Sequence, residues 1–166
     1  MKELEKLETY TFMDVQNTEG TADFLGFVID WKKLIDHLTN KYSSKENYLY
    51  LGIEQGDEDR TEEFNTLISD TCFVKAKIYK KYRLKDKIYP VTCYNCKSEF
   101  SKRIHGRLDW KCNCDVDLTI DVIEKSKDKA VRALIFTGDG DFKPLVDKLM
   151  KDNDKSKVYI FSSPLK

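Results

Sequence analysis

A chain of 166 residues with 29 Lys and Arg against 29 Asp and Glu is neutral overall. It is long enough for one well-packed domain with a small appendage, but not for two independent cores. Neutrality removes total charge as a guide to partners, no run approaches the roughly 18 apolar residues of a helical membrane span, and the polar start "MKELEKLETY" carries no apolar core, so the expectation is an unexported, cytoplasmic protein that avoids membranes.

In chain order, "YTFMDV" (10–15) has strand character and "QNTEGT" reads as a polar loop. "DWKKLIDHLTNKY" (30–42) predicts a helix with Asp30 as N-cap and Trp31, Leu34, Ile35 and Leu38 at helical spacing. "NYLYLGI" (47–53) predicts a strand, and "EDRTEEFNTLISD" (58–70) a helix with Phe64, Leu67 and Ile68 inward. "CFVKAKIY" (72–79) predicts a third strand. After a break of about 35 residues the rhythm resumes with "DVDLTIDVIEKS" (115–126) as helix, "RALIF" (132–136) as strand, "DFKPLVDKLMK" (141–151) as helix and "KVYIFSS" (157–163) as strand. Alternation of strand and helix predicts a parallel sheet covered by helices on both faces, an α/β three-layer sandwich.

The break concentrates charge. From Lys75 to Lys111 there are twelve Lys or Arg and three acids, Asp86, Glu99 and Asp109, so this segment carries +9 and the rest of the chain −9. A basic arm beside an acidic remainder suits a polyanion held by one part and acted on through cations by the other; solvated faces that happen to segregate are the alternative.

In an open parallel sheet, ligands bind beyond the carboxyl ends of the strands. Asp14 ends the first strand, and Asp139 and Asp141 in "FTGDGDF" follow the fourth. The start of the 115–126 helix adds Asp115, with Asp117 and Asp121 as secondary candidates. Carboxylates that converge cannot all ionise unless a cation sits among them. Oxygen ligands without a nearby His select Mg²⁺ or Mn²⁺, and the implied chemistry is metal-assisted phosphodiester hydrolysis. Taken singly, each acid has an ordinary reading: Asp139-Gly140 as a turn, Asp141 as an N-cap, Asp14 as a strand-end residue, and Asp117 with Asp121 as a solvated helix face.

Four of the five cysteines lie between 93 and 114. "CYNC" has zinc-knuckle spacing, whereas "CNC" is tighter than usual. Cys93, Cys96, Cys112 and Cys114 are therefore expected to hold a structural Zn²⁺, with His105 as a reserve ligand; buried thiols or a disulfide are the alternatives. Cys72 is expected in a strand core. Lys97, Lys102, Arg103 and Arg107, interleaved with Tyr79, Tyr82, Tyr89 and Tyr94, suit phosphate contact and base stacking.

These residues carry a family resemblance. "FMDVQN" resembles the F-I-D-x-x-N opening of NYN-domain proteins, a branch of the PIN-like nuclease superfamily. "KCNCDVDLTIDVI" is similar to their K-G-N-x-D-V-D-L segment, with Cys112 where the pattern has Gly, and "LIFTGDGDFKPLV" to their L-V-S-G-D-G-D-F-x-P-L-V. The resemblance spans about residues 10 to 150 apart from the cysteine segment and implies a Rossmann-like, PIN-like sheet of order 3-2-1-4-5; the expected domain is 8–166, with 86–114 as a zinc-knuckle insert within it. It also implies a divalent-metal-dependent endoribonuclease acting on RNA, with Asp14, Asp115, Asp139 and Asp141 on the metal, Asn17 orienting substrate or a metal-bound water, and Thr137 supporting the loop through its hydroxyl. An RNA-binding or regulatory module with a vestigial site is the rival from another class, and a small-molecule phosphohydrolase is a third. Oligomeric state, a homodimer included, is left open.

Overall fold

The structure is a computed structural model and describes residues 7–162. Five parallel strands form one sheet in the order β3-β2-β1-β8-β9: β1 is Glu8–Asp14, β2 Ser44–Ile53, β3 Cys72–Ile78, β8 Val131–Phe136 and β9 Lys157–Phe161. Because four short strands, β4 to β7, fall within the break, β8 and β9 are the fourth and fifth sheet strands. The expected order 3-2-1-4-5 is the one observed.

Adjacent residues on a strand point to opposite faces, and both faces here are apolar. Phe12, Tyr50 and Ile135 pack with Leu118 and Val122 of helix α4 (Cys114–Ser126) and with Leu145 and Leu149 of helix α5 (Lys143–Asp152). Their neighbours Met13, Leu51 and Leu134 pack on the other side with Trp31, Ile35 and Leu38 of helix α2 (Trp31–Tyr42) and Phe64 of helix α3 (Glu58–Asn65). Two apolar layers flanking one sheet make the three-layer α/β sandwich and explain why the strands read as continuous apolar runs.

Several local expectations need correction. "QNTEGT" is not a loop but most of helix α1 (Val15–Leu25), which begins because the Asp14 carboxylate accepts from the Asn17 N–H at 3.1 Å and ends at Gly26 with φ +79. A polar composition hid a helix started by its cap. Helix α3 stops at Asn65 rather than 70, and Ile68 is exposed instead of inward. The helix expected from 141 is a short 3-10 turn, Gly140–Phe142, followed by α5. Residue 163 of the expected last strand and residues 163–166 of the expected domain lie outside the described residues.

The break is a basic ribbon of four short strands. β4 (Lys80–Arg83) pairs antiparallel with β7 (Leu108–Lys111), and β5 (Lys87–Thr92) with β6 (Glu99–Ile104). Among the described residues no helix is long and apolar enough to cross a membrane.

Candidate active site

β1 and β8 are adjacent, with Met13 opposite Phe136, so the next residues, Asp14 and Thr137, leave the sheet side by side, about 4.8 Å being the ordinary strand spacing. Asp14 is buried. Its carboxylate caps α1 and accepts a second bond, 2.5 Å, from the Asn17 side-chain amide. Asn17 also reaches the β8 loop: a Cβ placed on Gly138 would stand 3.6 Å from Asn17 Oδ1.

That loop is shaped by its own side chains. The buried Thr137 hydroxyl accepts from the Asp139 N–H at 3.1 Å, and the Asp139 carboxylate accepts from the Asp141 N–H at 2.8 Å, capping the 3-10 turn. Asp139, rather than Asp141, is therefore the capping acid. The Asp141 residue is exposed at the rim, beyond what the turn needs.

Asp115 comes to the same mouth in the first turn of α4. Its carboxyl titrates above the ordinary carboxylate range, first because surrounding protein partly strips its water and then because Asp14, Asp139 and Asp141 repel its charge; Lys111 at the end of β7 pulls the other way. Three acids from two strand ends thus act on one from a distant helix. Lys111 was not among the site residues expected here; its place immediately before the "CNCD" run, as the first residue of "KCNCDVDL", was the available sign. Among the described residues, no three His, Cys, Asp or Glu side chains stand close enough together to hold a metal ion as they are. The donor chemistry nevertheless fits a hard divalent cation that keeps part of its water, since the acids are all-oxygen and their mutual repulsion calls for a positive charge.

The two secondary candidates point elsewhere. The Asp121 carboxylate accepts from the buried Tyr50 hydroxyl at 2.5 Å and pairs with the Lys75 ammonium at 2.6 Å. Burial and then Asp121 keep Tyr50 a neutral phenol. Asp117 pairs with Lys77 at 2.5 Å. Both acids therefore fasten α4 to β3.

The cysteines are gathered two by two. Cys93 to Ser98 form the tip between β5 and β6: the Cys93 N–H donates to Ser98 O and the Lys97 N–H to Cys93 O, each at 2.9 Å, with Lys97 at φ +59. The Ser98 hydroxyl and N–H, with the Cys93 thiol, bring the Cys96 thiol down to about 7. At the root, Cys112 Sγ lies 2.8 Å from Cys114 Sγ, and burial followed by Cys112 pushes the Cys114 thiol up. His105 faces Asp86 at 3.2 Å, so the reserve ligand has a carboxylate partner away from either thiol pair. Cys72 is buried, as expected for a core residue.

A model of the NYN domain matches residues 8–166. The chain belongs to the NYN-domain family. NYN domains are part of the PIN-like nuclease superfamily and are typically nucleases that act on RNA. No curated protein and no solved structure matches this NYN-domain chain.

Proposed function

We propose that this protein is a divalent-metal-dependent endoribonuclease. The observation that supports the reading is that Asp14 and the 137–141 loop leave adjacent strands side by side, with Asp115 near enough for the charges of Asp14, Asp139 and Asp141 to raise its carboxyl. A divalent ion there would supply an activated water and neutralise charge growing on the scissile phosphate. Asp14, Asp115, Asp139 and Asp141 would hold it. Asn17 fixes the Asp14 carboxylate and presents a polar atom to the Gly138 loop. Thr137 holds the Asp139 backbone. Asp141, exposed at the rim, would orient an entering water. Asp117 and Asp121 serve by positioning α4 and hence Asp115.

The ribbon supplies the basic partner for RNA. Lys102 lies opposite Tyr89 on β5 and β6 and Arg103 opposite Ile88, while the Lys97 ammonium sits over the Tyr94 ring at 4.9 Å. With Arg107, these exposed cations beside exposed rings suit phosphate contact and stacking of unpaired bases. The four thiols match the chemistry of a structural Zn²⁺, although they stand as two separate pairs.

The rival reading, an RNA-binding module with a vestigial site, draws on the acids not being drawn together as they stand. One assay separates the readings: Mn²⁺-dependent cleavage of a labelled RNA, run beside a chromogenic phosphate ester. The expected result is RNA cleavage that Asp139→Asn abolishes with the fold intact. Equal cleavage by that variant overturns the nuclease reading, RNA binding undiminished by EDTA without turnover establishes the rival, and turnover of the ester alone establishes a phosphohydrolase.

A further inference from the structure

We propose that Cys93, Cys96, Cys112 and Cys114 form one four-thiolate zinc site, completed when the basic ribbon folds back on itself at the corner made by Lys85, Asp86, His105 and Gly106. This rests on reading the cysteine pairs as zinc ligands and adds the movement that unites them. Each pair alone offers two thiolates where a structural zinc takes four ligands, and no third ligating side chain accompanies either pair among the described residues.

The two ladders of the ribbon are halves of one hairpin. Lys80 lies opposite Lys111 and Arg83 opposite Leu108; the pairing resumes at Lys87 opposite Ile104 and runs to Thr92 opposite Glu99. The register is kept across the gap, since three residues on each strand, 84–86 and 105–107, intervene. The gap is a tight corner. A Cβ on Gly106 would fall 1.6 Å from Leu84 O, so only glycine fits, and the Asp86 carboxylate accepts from the Gly106 N–H at 2.9 Å. The Leu84 N–H donates to Arg107 O across the gap at 3.0 Å, the other bonds at this corner are exposed, and among the described residues none from 84–86 or 105–107 belongs to either apolar core, which is the condition for a hinge.

The arms match. Cys93 lies eight residues beyond Lys85, and Cys112 and Cys114 lie six and eight beyond Gly106. At ~3.3 Å per residue, a straight ribbon would hold the pairs about 45 Å apart, whereas folding arms of nearly equal length returns the tip to the root. Ile104, Leu108 and Trp110 are exposed along the arms, and a two-stranded ribbon is marginal by itself, so folding also covers apolar surface. Closure carries Lys97 to the root beside Cys114, the residue that precedes Asp115, and so adds positive charge at the acidic mouth.

The test uses the full chain and no RNA. Zinc content, zinc-edge X-ray absorption, light scattering and small-angle scattering are measured on the protein with zinc and after chelation. The expected result is one zinc per monomer, four sulfurs at about 2.3 Å, three sulfurs in Cys93→Ser or Cys114→Ser, and a shorter maximum dimension with zinc than without. Two sulfurs per zinc, two zincs per chain, four sulfurs only in a dimer, an unchanged maximum dimension, or no retained zinc would each overturn the proposal. Asp139→Asn gives the same zinc readings as the parent chain, so failure here is separable from failure of the nuclease reading.

Discussion

The Asn17 side chain donates to the Asp14 carboxylate at 2.5 Å while its oxygen faces Gly138, bridging the ends of two neighbouring strands. A side chain that holds a ligand in place without being one contributes ~10–100-fold to metal affinity or turnover. Asn17→Ala should therefore lower RNA cleavage by about that factor with a melting temperature close to the parent's, because the backbone N–H that caps with Asp14 remains. Turnover equal to the parent's would remove Asn17 from the machinery.

Asp115 makes the mouth sensitive to pH. A carboxyl whose folded pKa is raised holds its proton more tightly in the folded chain than in the unfolded one, so stability falls as pH climbs from the ordinary carboxylate range through the raised value. Without divalent cations, Asp115→Asn should melt higher than the parent at neutral pH, and the gap should close on acidification below that range. Mn²⁺ should raise the parent's melting temperature more than the variant's. Thermal melts at several pH values, with and without Mn²⁺, check the sign; a destabilised Asp115→Asn at neutral pH contradicts it.

Removal of Asp121 strands a buried phenol and an ammonium, the Tyr50 hydroxyl and Lys75. Asp121→Ala should cost about 1–3 kcal/mol of stability, read by urea unfolding, while cleavage per folded molecule changes only a few-fold. A large loss of turnover without loss of stability would return Asp121 to the catalytic set.

Charge reversal on the ribbon should act on binding, not chemistry. Lys102→Glu with Arg103→Glu should weaken RNA binding and lower the salt dependence by about one unit of log-log slope per lost phosphate contact, with cleavage at saturating RNA retained. An unchanged salt slope would take the ribbon away from RNA.

Much of this architecture was legible because strand-to-helix alternation and apolar runs such as "YLYLGI" and "RALIF" directly express a sheet buried on both faces. The acids at the ends of β1 and β8 were legible for the same reason, since sheet topology alone brings Asp14 to the 137–141 loop. What stayed hidden depends on contacts between distant residues. Helix α1 was missed because its polar sequence owes its start to the Asp14 cap, and Asp117 and Asp121 look like site residues until Lys77 and Lys75 of β3 reach them. The four strands of the ribbon, exposed on both faces, lack the alternating burial that marks a strand.

The central claim is that Asp14, Asp115, Asp139 and Asp141 share a divalent cation, and Mn²⁺ titration followed by electron paramagnetic resonance tests it without reference to turnover. The account predicts saturable Mn²⁺ binding that Asp14→Asn and Asp139→Asn each weaken at least tenfold and that excess Mg²⁺ displaces. Binding of equal strength in all three proteins, or none in the parent chain, would contradict it.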